Sequence, residues 1–172
     1  MIPELSTPEL SRPLAIEAIG AGGLSREVVA DAAECAAVAA RLLLPAVAAL
    51  SCRFQLAREG SDGRVVVATG QLTARLTQVC VVSLDEFEAD MTETFRIRFV
   101  PDGTQEEEGD PESDDEIPYL GASIDLGEAT VEQLALTLDP YPRKPDAVLP
   151  EEELPDAVVH PFAALAARRK GG

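Results

Sequence analysis

Hydropathy that alternates with period two over three long stretches constrains this fold more than any other feature. In the first, Leu50, Cys52, Phe54 and Leu56 alternate with Ser51, Arg53 and Gln55. In the second, which begins near Arg64, Leu72, Ala74, Leu76, Gln78 and Cys80 share one parity, while Thr69, Gln71, Thr73, Arg75 and Thr77 take the other. In the third, Met91, Phe95, Ile97 and Phe99 alternate with Thr92, Thr94, Arg96 and Arg98. Successive side chains of a strand point to opposite faces, so each stretch reads as a strand buried on one side. The connections, at residues 60–63 and near Asp85 and Glu86, are too short for the crossover that parallel neighbours need. The chain is therefore expected to be α+β with an antiparallel meander sheet; strong curvature and barrel-like closure of that sheet both stay open. The same parity aims Gln78 and Cys80 inward.

Two main helices are expected to pack on the sheet. Asp31 and Glu34 have capping-box spacing, and Cys35, Val38, Ala39 and Leu42 recur behind them at helical intervals, which predicts a helix from about Asp31 to Leu44 stopped by Pro45. A second begins near Gly127, with Val131, Leu134, Ala135 and Leu138 as its apolar face. Asp125, Glu128 and Glu132 lie near its positive end, and Pro140, Pro142 and Pro145 prevent its continuation. Leu136 falls off that face, in line with Glu128 and Glu132, where a leucine bordered by acids suits a basic amphipathic partner. Residues 1–12 read as a loose arm. Leu14, Ile16 and Ala18 alternate as in a short strand that Gly20, Gly22 and Gly23 break. A short C-terminal helix is expected at residues 161–172, with Pro161 at its first position, Phe162, Leu165 and Ala166 as its stripe, and Arg168, Arg169 and Lys170 at its end. Residues 1–160 are read as a single domain, long enough for a real core.

The net charge of −17 makes direct binding to a phosphate backbone or an anionic membrane costly. Residues 102–116 carry nine acids and no base, which predicts a disordered, solvated loop at about 102–118, but the rest of the chain is acidic without them. Aromatics are scarce, so stacking platforms for bases are poorly supplied. A charge of this sign suits a basic protein partner. The competing interface is a local positive patch of Arg53, Arg64, Arg75, Arg96 and Arg98, several of which share the outward parity of neighbouring strands.

Catalytic chemistry finds little support. Cys35, Cys52 and Cys80 are odd in number and widely spaced, which argues against a disulfide framework and for a reducing cytoplasmic setting. A thiol nucleophile at Cys80 needs a neighbouring base, and the only histidine is His160. Zinc would require about four ligands that these residues do not supply. No phosphate-cradling loop, membrane-spanning run or secretory signal is present, so no cofactor, metal or membrane is expected, and the chain is read as a monomer.

Several segments, in order, carry a resemblance: Leu10-Ser11-Arg12-Pro13, Ala30-Asp31 with Glu34, Gly70 with Ala74, and Gln78-Val79-Cys80-Val81-Val82-Ser83-Leu84. Then follow Ile124-Asp125-Leu126-Gly127-Glu128, Leu134-Ala135-Leu136, Pro140-Tyr141-Pro142-Arg143 and Pro161-Phe162-Ala163-Ala164-Leu165. In these the chain resembles the YceD family, described as a large ribosomal RNA subunit accumulation protein, in the form common in alphaproteobacteria. Many relatives have a Cys-x-x-Cys pair where Cys80 and Ser83 stand here, and further cysteines where this chain has Tyr141, Pro142 and Arg143. A metal-dependent role is thus not expected to be shared. The resemblance implies a cytoplasmic, non-enzymatic accessory factor in synthesis, processing or accumulation of 23S ribosomal RNA. From charge, the expected partner is a basic ribosomal protein or processing factor, met at Gln78, Cys80, Asp125, Leu126, Glu128, Glu132, Leu136, Tyr141 and Arg143. Direct RNA contact through Arg53, Arg75, Arg96 and Arg98 is the alternative, and a thiol enzyme using Cys80 the more distant one.

Overall fold

The computed structural model describes residues 8–104 and 114–148. The expected C-terminal helix at residues 161–172 and most of the acidic run lie outside the described residues. The elements follow in the order β1 (Pro13–Ala15), a short 3-10 turn (Ile16–Ala18), β2 (Leu24–Val29), α1 (Ala32–Arg41), β3 (Ala46–Glu59), β4 (Val65–Val79), β5 (Glu86–Pro101), β6 (Asp115–Tyr119), β7 (Ser123–Asp125) and α2 (Leu126–Thr137).

The three alternating stretches form the long strands β3, β4 and β5, joined as an antiparallel meander inside a sheet of order β2-β3-β4-β5-β6. Among the described residues the sheet is open, so barrel-like closure is corrected: β2 and β6 stand at its two edges. The meander also does not extend to β6, which runs parallel to β5, pairing Ile97 with Asp115 and Phe99 with Ile117. Asp115 and Glu116, read from sequence as part of a solvated loop, thus belong to a strand.

Register stacks the inward side chains in rows, such as Leu56, Ala68 and Ile97, or Leu50, Ala74 and Met91. Against them lie Cys35, Val38 and Ala39 of α1 and Leu126, Ala129 and Leu134 of α2. Fully burying such an aliphatic side chain contributes about 1.5–3 kcal/mol, and these rows form one continuous core. In the row of Phe54, Gly70 and Phe95, the two rings meet edge to face, with centroids 5.8 Å apart and planes at 76°. The first half of β5 is less covered, and Met91 and Phe95 are only half-buried.

Other departures from the sequence reading are local. The stretch at Leu14, Ile16 and Ala18 is not one strand: β1 stops at Ala15 and the chain coils through the 3-10 turn. β2 forms after the glycine break, at Leu24–Val29, where no element was read. α1 ends at Arg41, before Leu44, because Leu43 turns to the left-handed region at φ 56°. On α2, Ala135 is exposed and Leu138 only half-buried, whereas Gly127, Thr130 and Gln133 are buried. The covered side is wider at the start of this helix and lost at its end, because the segment before β1 and the ladder of β1 with β7 also press on its first turns.

Candidate functional site

Three constellations account for the particular residues of the sequence. The first is a clamp at Asp125. As N-cap of α2 it accepts from the N–H groups of Gly127 (2.8 Å) and Glu128 (3.2 Å); it also accepts from the Arg12 N–H (2.8 Å) and the Ser11 hydroxyl (2.5 Å). The Leu126 N–H returns a bond to the Arg12 carbonyl, and Leu126 is buried. Gly127 is required by contact: a Cβ there would stand 2.6 Å from the Leu10 carbonyl oxygen and 2.9 Å from the Arg12 nitrogen. Arg12 is in turn held by both oxygens of Glu34, whose backbone and side chain complete the capping box with Asp31. Glu128 binds Arg41 at the end of α1, together with Glu9. Asp125, Leu126 and Glu128 therefore knit the N-terminal segment, α1 and α2 together, and little of them is offered to a partner.

The second is a tight turn closing β4. The Cys80 carbonyl accepts from the Leu84 N–H, and Leu84 takes φ 62°, a left-handed conformation that costs a branched side chain energy. The Val81 N–H donates to the Pro142 carbonyl at 2.9 Å, which joins two segments far apart in sequence, and Lys144 reaches Asp85 at 3.6 Å. Cys80 is buried, with Ser83 N–H 3.5 Å from its Sγ. Hydrogen bonding from Ser83, first through its side chain and then through its backbone, helped by the Lys144 and Val82 backbones, pulls this thiol down to about 6. Burial instead raises Cys35 and pushes Cys52 up to about 12. Gln78 is buried beside the turn, while Tyr141 is 71% exposed and Arg143 is also exposed.

A thiolate absorbs near 240 nm, and a single thiolate, titrating near pH 6 and lost in Cys80→Ser, is the expected spectrum of the native protein. Because the folded value lies below the ordinary one of about 9, its contribution to stability is complete above pH 9 and disappears as pH falls through about 6. With no solvent-accessible surface on Cys80, iodoacetamide should nonetheless react slowly at neutral pH. Absence of a titration step below pH 7.5 would show that the donors do not stabilise the anion.

The third is a groove between the end of α1, β6 and the outer side of α2. Leu42, Ile117, Val131, Ala135 and Leu136 line a cavity of about 520 Å³, rimmed by Asp115, Glu116 and Glu132. Glu116 is bonded to Arg98, but neither Asp115 nor Glu132 has an ion pair among the described residues. Burial, then repulsion by Glu128, raises the carboxyl of Glu132 above its ordinary range, while Arg41 pulls it the other way. Leu136 is 71% exposed at the rim.

Four arginines of the sheet are occupied by acids, while among the described residues Arg26 and Arg58 donate only to backbone carbonyls. Arg53 pairs with Glu27 (3.3 Å), Arg75 with Asp90 (2.8 Å), Arg96 with Asp114 (3.0 Å), and Arg98 with Glu59 (3.4 Å) and Glu116 (3.3 Å). The Arg64 carbonyl accepts from the Tyr119 hydroxyl at 2.6 Å, but its guanidinium has no ion pair among the described residues. Among the described residues there is no histidine and no group of three or more side chains suited to hold a metal ion, and no helix is long and apolar enough to cross a membrane.

Sequence reasoning named Glu132 and Leu136 but missed the groove they border, because Asp115 to Ile117 come from a strand hidden in an acidic run and Leu42 from the other helix. No curated protein and no solved structure matches the chain. A family model does, over residues 68–167, and its description is "Large ribosomal RNA subunit accumulation protein YceD". That span takes in most of β4, the Cys80 turn, Asp125 itself and α2, which is more than half of the sequence, and on this match the chain belongs to the YceD family.

Proposed function

We propose that this protein supports accumulation of 23S ribosomal RNA by holding a cationic, amphipathic segment of a large-subunit ribosomal protein or processing factor in the groove between α1, β6 and α2. The family description supplies the link to large-subunit RNA. The observation that carries the mechanism is the pairing state of the charges: Asp115 and Glu132 flank an apolar floor without an ion pair among the described residues, while Arg53, Arg75, Arg96 and Arg98 each have a carboxylate. A lysine or arginine entering beside Glu132 would offset the desolvation that its carboxylate now bears, and an apolar residue of the same segment would cover Leu136. Acting in ribosome assembly, the protein would work in the cytoplasm, without catalysis.

Affinity capture from lysate at about 0.05 M and 0.5 M salt tests this, since a contact between exposed charges weakens as screening increases. Retention of basic large-subunit proteins at low salt is expected, reduced about tenfold or more by Asp115→Lys with Glu132→Lys, which is about 1.4 kcal/mol. Arg75→Gln with Arg96→Gln should leave it unchanged. Capture indifferent to salt and to the groove substitutions would overturn the mechanism. Filter binding of precursor 23S RNA that those arginine substitutions abolish would establish the RNA reading instead. Unaltered 23S RNA after depletion would remove the link to that RNA.

A further inference from the structure

The groove needs a ligand that is apolar at one end and cationic at the other, and the chain's own sequence contains one. Residues 161–170 read Pro-Phe-Ala-Ala-Leu-Ala-Ala-Arg-Arg-Lys, with Phe162, Leu165 and Ala166 at helical spacing and Arg168, Arg169 and Lys170 following. In a chain of net charge −17, these three form its longest run of consecutive cations, the other being the pair Arg143 and Lys144. Thirteen residues separate Val148, the last described residue, from Phe162. At about 3.3 Å per residue they span up to about 43 Å, more than the roughly 35–40 Å breadth of a domain this size. Reach does not forbid docking anywhere on the surface.

We propose that residues 161–170 of the same chain seat Phe162 and Leu165 on the floor formed by Leu42, Ile117 and Val131, beside Leu136 at the rim, and lay Arg168, Arg169 and Lys170 against Asp115 and Glu132. The cavity of about 520 Å³ has room for one aromatic and one branched aliphatic side chain, and its acids Asp115, Glu116 and Glu132 outnumber its one cation, Arg41, which Glu9 and Glu128 already hold. Tethering sets the effective concentration in the millimolar range, so a weak contact suffices for occupancy. If the groove is also the partner site, a part that rests on the function proposed above, the tail is an internal competitor that a longer cationic ligand must displace.

Methyl NMR of the full chain tests this. Phe162→Asp with Leu165→Asp should shift the methyl resonances of Ile117, Val131 and Leu136 and leave those of core residues such as Leu72 in place. Glu132→Lys should produce the same displacement, and adding Arg168→Glu and Arg169→Glu to it should restore the original positions. A basic amphipathic peptide should bind the Phe162→Asp, Leu165→Asp chain about three- to tenfold more tightly than the unaltered one. Groove methyls that ignore the tail substitutions would overturn the proposal, whatever the capture experiment shows. Shifts that vanish on dilution would overturn it in favour of a tail donated by a second copy. Groove methyls that respond while no basic protein is captured would leave the docked tail standing and remove the partner function.

Discussion

Asp125→Ala is expected to lower the unfolding free energy by about 3–5 kcal/mol. One carboxylate serves four donors there, two from the start of α2 and two from the segment ahead of β1. Losing an N-cap costs about 1 kcal/mol, and each partly buried donor left without an acceptor adds about 1–3 kcal/mol. Against a total stability of roughly 5–15 kcal/mol this is a large fraction. Asp125→Asn keeps one acceptor oxygen at the cap, and the Ser11 hydroxyl can rotate to accept from the new amide, so about 1–2 kcal/mol is expected. Urea denaturation monitored by circular dichroism separates the cases. A loss below about 1 kcal/mol for the alanine variant would mean that the N-terminal segment is held by its apolar contacts, with buried Leu10 the foremost of them.

Gly70→Val is expected to cost about 3 kcal/mol, for a different reason. Gly70 is flanked by Phe54 on β3 and Phe95 on β5, and a Cβ at this position would fall 2.6 Å from Cε2 and 2.7 Å from Cε1 of Phe95. The aromatic ring lies over the bare backbone, covering the site that a side chain would fill. Overpacking of this kind costs about 1–3 kcal/mol, and loss of the edge-to-face contact with Phe54 adds to it. Phe95→Ala should itself be destabilising. In the double variant the ring that clashes is gone, so the two losses should fall short of additivity by at least about 1 kcal/mol. Strict additivity would show that Phe95 swings aside freely.

What the amino-acid order disclosed follows from where the physics is local. The strands β3, β4 and β5 were legible because one parity is buried along most of β3 and β4 and at least half-buried along most of β5, and α1 because Asp31 and Glu34 cap it within one turn. β2 escaped because a short edge strand buries only Val28 and so shows no alternation. β6 escaped because Asp115 and Glu116 look solvated until Ile117 and Tyr119 are seen to pack. The segment of Ile124, Asp125, Leu126, Gly127 and Glu128 was recognisable as particular, but its reason, the close approach of Leu10 and Arg12, lies more than a hundred residues away. The groove was illegible for the same cause, as no single stretch of sequence contains it.

Among the described residues the two edges of the sheet carry no further strand, which bears on how any protein would be recognised. An unpaired edge invites a foreign strand to add to it by main-chain bonding, which is how many domains capture extended peptides. Here β2 presents Ser25, Arg26 and Glu27, all exposed, and β6 is five residues long with Pro118, which has no N–H to give. Charge on one margin and a missing donor on the other guard both against such augmentation and against fibril-like self-templating. Any recognition would thereby fall to side chains, and with it a choosiness about composition that backbone pairing alone would not provide.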